Sequence, residues 1–190
     1  MSLYSEIVTS CNKHSEQFVF DGELRYRDLL VNVEKRKRDA PEGGVLLAEI
    51  SSGIEFVELL LAALRQSLVF CPVATESGDF DNAQKVLNPN LVYKNGEYSV
   101  LHGEVDTKIS NICPRGGFVR FTSGTTGNAK GVLISDTSAL ERILLAEKSF
   151  QLSSDDNVLF LMSMPYHFVT SLFMMLKNGV CSSSALPCCG

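Results

Sequence analysis

The sequence predicts an α/β fold, a layered α/β domain with a mostly parallel sheet, and two stretches carry that prediction. Val45-Leu46-Leu47-Ala48-Glu49-Ile50 and Val69-Phe70-Cys71-Pro72-Val73 are short apolar runs separated by an apolar helical segment, Glu55 to Leu68. Strand, helix, strand in that order is the unit from which parallel sheets are built. The second stretch runs from Phe121 to Val132, where three glycines, four hydroxyls and one lysine lie between Phe118-Val119 and Val132-Leu133-Ile134. A loop of small residues held between two strands can bring backbone N–H groups close to an anion. Hydroxyls and a lysine add donors that suit phosphate.

The bulk numbers agree with a globular domain. The chain has 190 residues, 45% of them hydrophobic and 21% charged. A compact chain of that length buries roughly 70% of its unfolded surface, enough for a sizeable core. Net charge is −5, which argues against general nucleic-acid binding, since that function leaves a basic footprint. The basic run Lys35-Arg36-Lys37-Arg38, flanked by Glu34 and Asp39, reads as a solvated helix face. Six cysteines show neither C-x-x-C nor zinc spacing. Nothing near Met1 reads as a signal peptide, so reduced thiols and a cytoplasmic location are expected. Val158 to Leu176 carries no formal charge and is long enough to span a bilayer. Pro165, Tyr166 and His167 interrupt it, so it reads as strand, loop and helix, with no membrane span.

Taken in order, the chain begins with a short helix around Ile7-Val8. Phe18-Val19-Phe20 and Glu23-Leu24-Arg25 flank Asp21-Gly22, a hairpin signal. From Tyr26 the period changes, with Leu29, Leu30 and Val33 on one helical face. Pro41-Glu42-Gly43-Gly44 separates that helix from the β-α-β unit. Asp79 to Leu87 is helical in pattern. Leu91-Val92-Tyr93 and Glu97 to Leu101 are strands joined at Asn95-Gly96. Ser110 to Gly117 is expected to be a loop. Gly117 to Phe121 and Gly131 to Ile134 are the strands that hold the glycine-rich stretch, and Arg120 reads as a solvated strand residue. Asp136 is the expected N-cap of a helix running to Lys148. Val158 to Met162 is a strand, Met164-Pro165-Tyr166-His167 a loop, Phe168 to Leu176 a helix ended by Gly179, and Val180 to Leu186 a further strand.

The glycine-rich stretch fits neither of two common nucleotide motifs. In G-x-x-x-x-G-K-[ST] the lysine follows the second glycine directly, but here Asn128-Ala129 separate Gly127 from Lys130 and Gly131 follows the lysine. In G-x-G-x-x-G a helix follows, but here the glycines are three and four apart and a strand follows. Thr122-Ser123-Gly124-Thr125-Thr126-Gly127-Asn128-Ala129-Lys130-Gly131 instead resembles the phosphate loop of the adenylate-forming (AMP-binding, acyl-CoA synthetase-like) superfamily. That superfamily includes acyl-CoA synthetases, adenylation domains of peptide synthetases and beetle luciferases. One departure is Ala129, where the family usually has proline. Phe20 to Leu30, Glu55 to Val73 and Met164-Pro165-Tyr166-His167-Phe168 resemble other family segments in the right order, so the resemblance covers nearly the whole chain.

The resemblance implies that residues 1–190 are a partial N-terminal (AMP-binding) domain of the acyl-CoA synthetase-like fold, with the C-terminal catalytic-lysine domain absent. It implies an ATP-dependent ligase in which a carboxylic acid and ATP give acyl-AMP and pyrophosphate, followed by transfer to a thiol. Thr122, Ser123, Gly124, Thr125, Thr126, Gly127 and Lys130 would bind the ATP phosphates. Tyr166 and His167 would line the acyl pocket. ATP and Mg2+ are the implied cofactors, and coenzyme A or a carrier protein the implied acceptor. The chain itself would hold no catalytic residue. A second reading stays open, that of a non-catalytic truncated fold unit with at most weak phosphate binding or an interaction role.

Overall fold

The computed structural model of the chain describes residues 2–20, 22–38, 43–101, 104–122 and 130–184. Helix α1 (Leu3–Lys13) opens on a capping box in which the Ser2 and Ser5 side chains accept each other's backbone N–H. Strands β1 (Phe18–Phe20) and β2 (Leu24–Arg25) pair antiparallel around the expected hairpin turn. Asp21 in that turn lies outside the described residues. Helix α2 (Tyr26–Lys35) buries Tyr26, Leu29 and Val33.

The β-α-β unit forms as expected. Strand β3 (Val45–Glu49), helix α3 (Ile54–Arg65) and strand β4 (Val69–Val73) follow one another, and β3 and β4 pair parallel. Helix α4 (Phe80–Leu87) then carries the chain back across β3, so that β5 (Leu91–Lys94) pairs parallel on its other side. Asn95 and Gly96, both at positive φ, turn the chain into the antiparallel β6 (Glu97–Val100). After α5 (Thr107–Ile112), strand β7 (Gly117–Thr122) joins β4 in parallel and β8 (Lys130–Ser135) returns antiparallel. The sheet order is β6-β5-β3-β4-β7-β8, four parallel strands with an antiparallel strand at each edge.

Helix α6 (Asp136–Glu147) leads to β9 (Asn157–Phe160), then to α7 (Met164–His167), a π-helical turn at Phe168–Leu172, α8 (Phe173–Asn178) and β10 (Cys181–Ser184). Gly179 ends α8 with φ 69°, and a Cβ there would lie 2.4 Å from the His14 ring. Strands β1, β10 and β9 are parallel and with β2 form a second sheet, ordered β2-β1-β10-β9.

The period of two along the strands sorts the core into two clusters. Leu46, Ala48, Phe70 and Phe118 enter the larger one, shared with α3, α6, α8 and the second sheet. Val45, Leu47, Val69, Cys71, Val73 and Val119 enter the smaller one with Phe80 and Ala83 of α4. Helices α3 and α4 therefore cover opposite faces, and the loops leaving β3 and β4 part company. Crevices of that kind, at the carboxyl ends of parallel strands, are where α/β sheets place their ligands. Phe168 anchors the larger cluster, with ring centroids 5.5 Å from Phe56, 6.2 Å from Phe70, 5.3 Å from Phe118 and 6.2 Å from Phe173.

The structure corrects five local expectations. Residues 107–112 form a short helix where a loop was expected from Ser110, because Asp106 caps it by accepting the Lys108 N–H at 2.8 Å. Ser135, not Asp136, is the N-cap of α6, accepting the Ser138 N–H at 3.2 Å. The Asp136 carboxylate turns inward instead and accepts the Leu3 N–H at 2.9 Å. Met164–His167 is helical because Pro165 sits in a first turn, where its missing N–H leaves no bond unmade. The basic run is only partly solvated. Arg36 reaches the buried Glu58 at 2.6 Å, and the Arg38 guanidinium lies 4.4 Å above the Tyr98 ring. Finally, Arg120 is half-buried in a cleft rather than solvated. No described helix is long and apolar enough to cross a membrane.

Candidate functional site

Six consecutive pairs join β7 to β8, from Gly117 opposite Ser135 to Thr122 opposite Lys130. The stem is therefore a regular ribbon that closes on Thr122 and Lys130. Ser123, Gly124, Thr125, Thr126 and Gly127 lie outside the described residues. Because β7 runs parallel to β4, its end at Thr122 falls on the carboxyl edge of the sheet. Gly116 seats the start of the ribbon. Its φ is 79°, and a Cβ there would lie 2.5 Å from the Leu68 carbonyl oxygen, so only glycine lets β7 dock beside β4.

The segment carrying Tyr166 and His167 is pinned to the same edge from two sides. The Met164 N–H donates to Ser52 Oγ at 2.9 Å, and the Gly53 N–H points at Met164 Sδ at 3.4 Å, both from the loop after β3. Phe168 fixes the other end in the core. Tyr166, which is 40% exposed, lines a small cleft with Pro165, Pro72 and Val73 of β4, Ser77 and Asp79 of the following loop, and Arg120 and Phe121 of β7. The cleft has about 20 Å³ of cavity volume, room for roughly one water molecule. His167 is exposed and stands outside the cleft wall. The structure thus brings Tyr166 to the end of β7, next to the stem that holds Thr122 and Lys130.

The thiols of Cys71 and Cys113 are fully buried and serve packing. Burial pushes Cys71 on β4 up to about 12 and Cys113 up to about 11. Both stay protonated at neutral pH and are poor nucleophiles. Cys11, Cys71, Cys113 and Cys181 are free. Among the described residues no group of three His, Cys, Asp or Glu side chains is placed to hold a metal ion.

Comparison with known proteins points the same way as this geometry. A family model described as AMP-binding enzyme matches residues 116–185, which run from the start of the β7–β8 stem through β10. No curated protein matches the sequence. Among solved structures, the N-terminal subdomain of Klebsiella oxytoca NpsA in complex with 3-hydroxybenzoyl-AMSN aligns with 98% of this chain and 54% of its own, at 18% identity and a TM-score of 0.71. The inhibitor-bound N-terminal domain of FACL13 from Mycobacterium tuberculosis aligns with 96% of this chain and 56% of its own, at 14% identity and a TM-score of 0.76. The nonribosomal peptide synthetase FmoA3 aligns with 97% of this chain and 22% of its own, at 17% identity and a TM-score of 0.76. The chain thus spans about half the length of the NpsA and FACL13 domains it matches.

These likenesses define the fold. The fold is that of the N-terminal portion of adenylate-forming, AMP-binding enzymes. The family match itself covers residues 116–185, from Gly116 through β10.

Proposed function

We propose that these residues form the phosphate-binding part of an ATP-dependent acid–thiol ligase. In the overall reaction a carboxylate oxygen attacks the α-phosphorus of ATP. The bond to the departing pyrophosphate breaks, giving acyl-AMP. A thiol, of coenzyme A or of a carrier protein, then attacks the acyl carbon and releases AMP. Residues 1–190 would supply part of an N-terminal domain in such a protein, and a catalytic lysine would come from a C-terminal domain.

One observation carries this reading: the β7–β8 ribbon closes on Thr122 and Lys130 at the carboxyl edge of the sheet, beside Tyr166. A triphosphate fits that chemistry. The Lys130 ammonium offsets negative charge that builds on the β- and γ-phosphates as pyrophosphate departs. Thr122, Ser123, Gly124, Thr125, Thr126 and Gly127 supply hydroxyl and backbone donors. Tyr166 and His167 stand on the side from which the acid would approach. The described residues offer no metal cage of their own, so Mg2+ would arrive already bound to the triphosphate and add charge neutralisation there. The free thiols suit a reducing, cytoplasmic setting.

The test is acid-dependent exchange of pyrophosphate into ATP, assayed over a panel of carboxylic acids on the protein that carries these residues. Lys130→Ala should lower the exchange rate about 10- to 100-fold, the loss of one charge-assisted contact. No exchange with any acid in the wild type would sink the ligase reading. Saturable ATP binding without exchange would favour a non-catalytic nucleotide-binding unit.

A further inference from the structure

Arg120 is a charged group at this edge with no part in the reading above. Strand alternation puts Phe118 and Arg120 on one face of β7, and the register adds Ile134, Val132 and Lys130 from β8 to the same face. Phe118 and Ile134 identify that face, since both pack into the larger core, where Phe118 meets Phe168. Arg120 and Lys130 are therefore diagonal neighbours on the side of the ribbon that faces the Tyr166 segment. Diagonal neighbours in an antiparallel pair lie roughly 7–8 Å apart, within reach of long side chains converging on one ligand.

The surroundings of Arg120 differ from those of other arginines in the chain. Arg36 is held by Glu58 at 2.6 Å, Arg65 by Glu34 at 2.7 Å, Arg27 by Glu16 at 2.6 Å and Arg115 by Asp136 at 3.3 Å. Arg120 is half-buried in the cleft, yet among the described residues no hydrogen bond or ion pair engages its guanidinium. Asp79 lines the same cleft but is solvent-exposed and does not pair with it. A half-buried arginine with no protein acceptor lacks the compensation that such residues normally have. An oxyanion arriving at the end of β7 supplies it. Its planar fork favours two oxygens of one phosphate over a single point contact.

We infer that Arg120 is a second polyphosphate-binding residue, whose guanidinium takes phosphate oxygens of a nucleoside triphosphate alongside Lys130. The inference rests on the nucleotide-binding reading proposed above and extends it to a residue that the glycine-rich motif does not contain.

Titration calorimetry with inorganic pyrophosphate and with ATP tests it on wild type, Lys130→Ala, Arg120→Gln and Arg120→Lys. Pyrophosphate has neither a carboxyl group nor an adenine, so it reports on the phosphate contacts alone. Arg120→Gln should bind pyrophosphate about tenfold more weakly or worse, with its thermal midpoint unchanged because no protein hydrogen bond is lost. Arg120→Lys should bind with intermediate affinity, keeping the charge without the fork. Wild-type affinity in Arg120→Gln, with Lys130→Ala weakened, overturns this inference and leaves the nucleotide reading standing. An increase confined to the KM of the acid, with pyrophosphate affinity intact, overturns it too, because the guanidinium then serves the acid. No pyrophosphate or ATP binding by wild type overturns both. If Arg120→Gln fails to fold, wild-type affinity in Arg120→Lys counts against the inference.

Discussion

Asp136 shows how a single residue can carry a load that its sequence position hides. Its place before a helix suggests a cap, and Ser135 takes that role. The carboxylate, only 2% exposed, instead ties the start of α1 to α6 through the Leu3 N–H and sits 3.3 Å from Arg115. Burial raises its carboxyl above the usual range, and the Leu3 N–H and Arg115 only partly offset that. The folded state therefore binds this proton more tightly than the unfolded chain does. Its contribution to stability is fully present below the unfolded carboxylate value and is lost as pH rises through the folded one. Asp136→Asn keeps an acceptor for Leu3 and has no charge to bury. In urea denaturation from pH 3 to pH 7, the stability of wild type relative to Asp136→Asn should decline as pH rises. A wild-type advantage that grows with pH would show that the Arg115 pair outweighs desolvation.

At the scale of elements, the segment from Met164 to Leu172 joins the core to the candidate site. A four-residue helix and a π-helical turn make a poor helix by propensity alone, and π turns are frequent at functional sites. The segment stays in place because Ser52 accepts the Met164 N–H and Phe168 lies among Phe56, Phe70, Phe118 and Phe173. Phe168→Ala should cost about 3–5 kcal/mol of stability in chemical denaturation, the usual range for a fully buried phenylalanine. It should also loosen Tyr166, seen as faster backbone hydrogen exchange over residues 164–167. A loss under about 1 kcal/mol would mean the neighbouring rings close the cavity, and the anchoring role would fall.

Much of the whole molecule could be read from local pattern. The parallel pairing of β3 and β4 followed from two apolar runs around an apolar helix, and the β7–β8 hairpin from strands flanking a loop of small residues. Neither the return of α4 to place β5 beyond β3 nor the second sheet, which joins β1 to β9 and β10 across most of the chain, has a local signature. Both are set by long-range packing. The same limit applies at the site. The residues of the phosphate motif are contiguous and stood out together, although 123–129 lie outside the described residues. Arg120 looked like an ordinary strand residue, because only the register with β8 places it diagonal to Lys130 and only the tertiary fold brings Tyr166 beside it. The period-two step from Thr122 back to Arg120 was the available clue.

The most direct test of the central claim is a crystal structure of the protein grown with a non-hydrolysable ATP analogue. Phosphate density is expected at the carboxyl edge of the six-stranded sheet, within hydrogen-bond reach of Lys130, with Tyr166 beside it. Phosphate density elsewhere, for example in the polar groove between α1 and α8 lined by Lys13, His14 and Lys177, with the end of the β7–β8 ribbon empty, would contradict it.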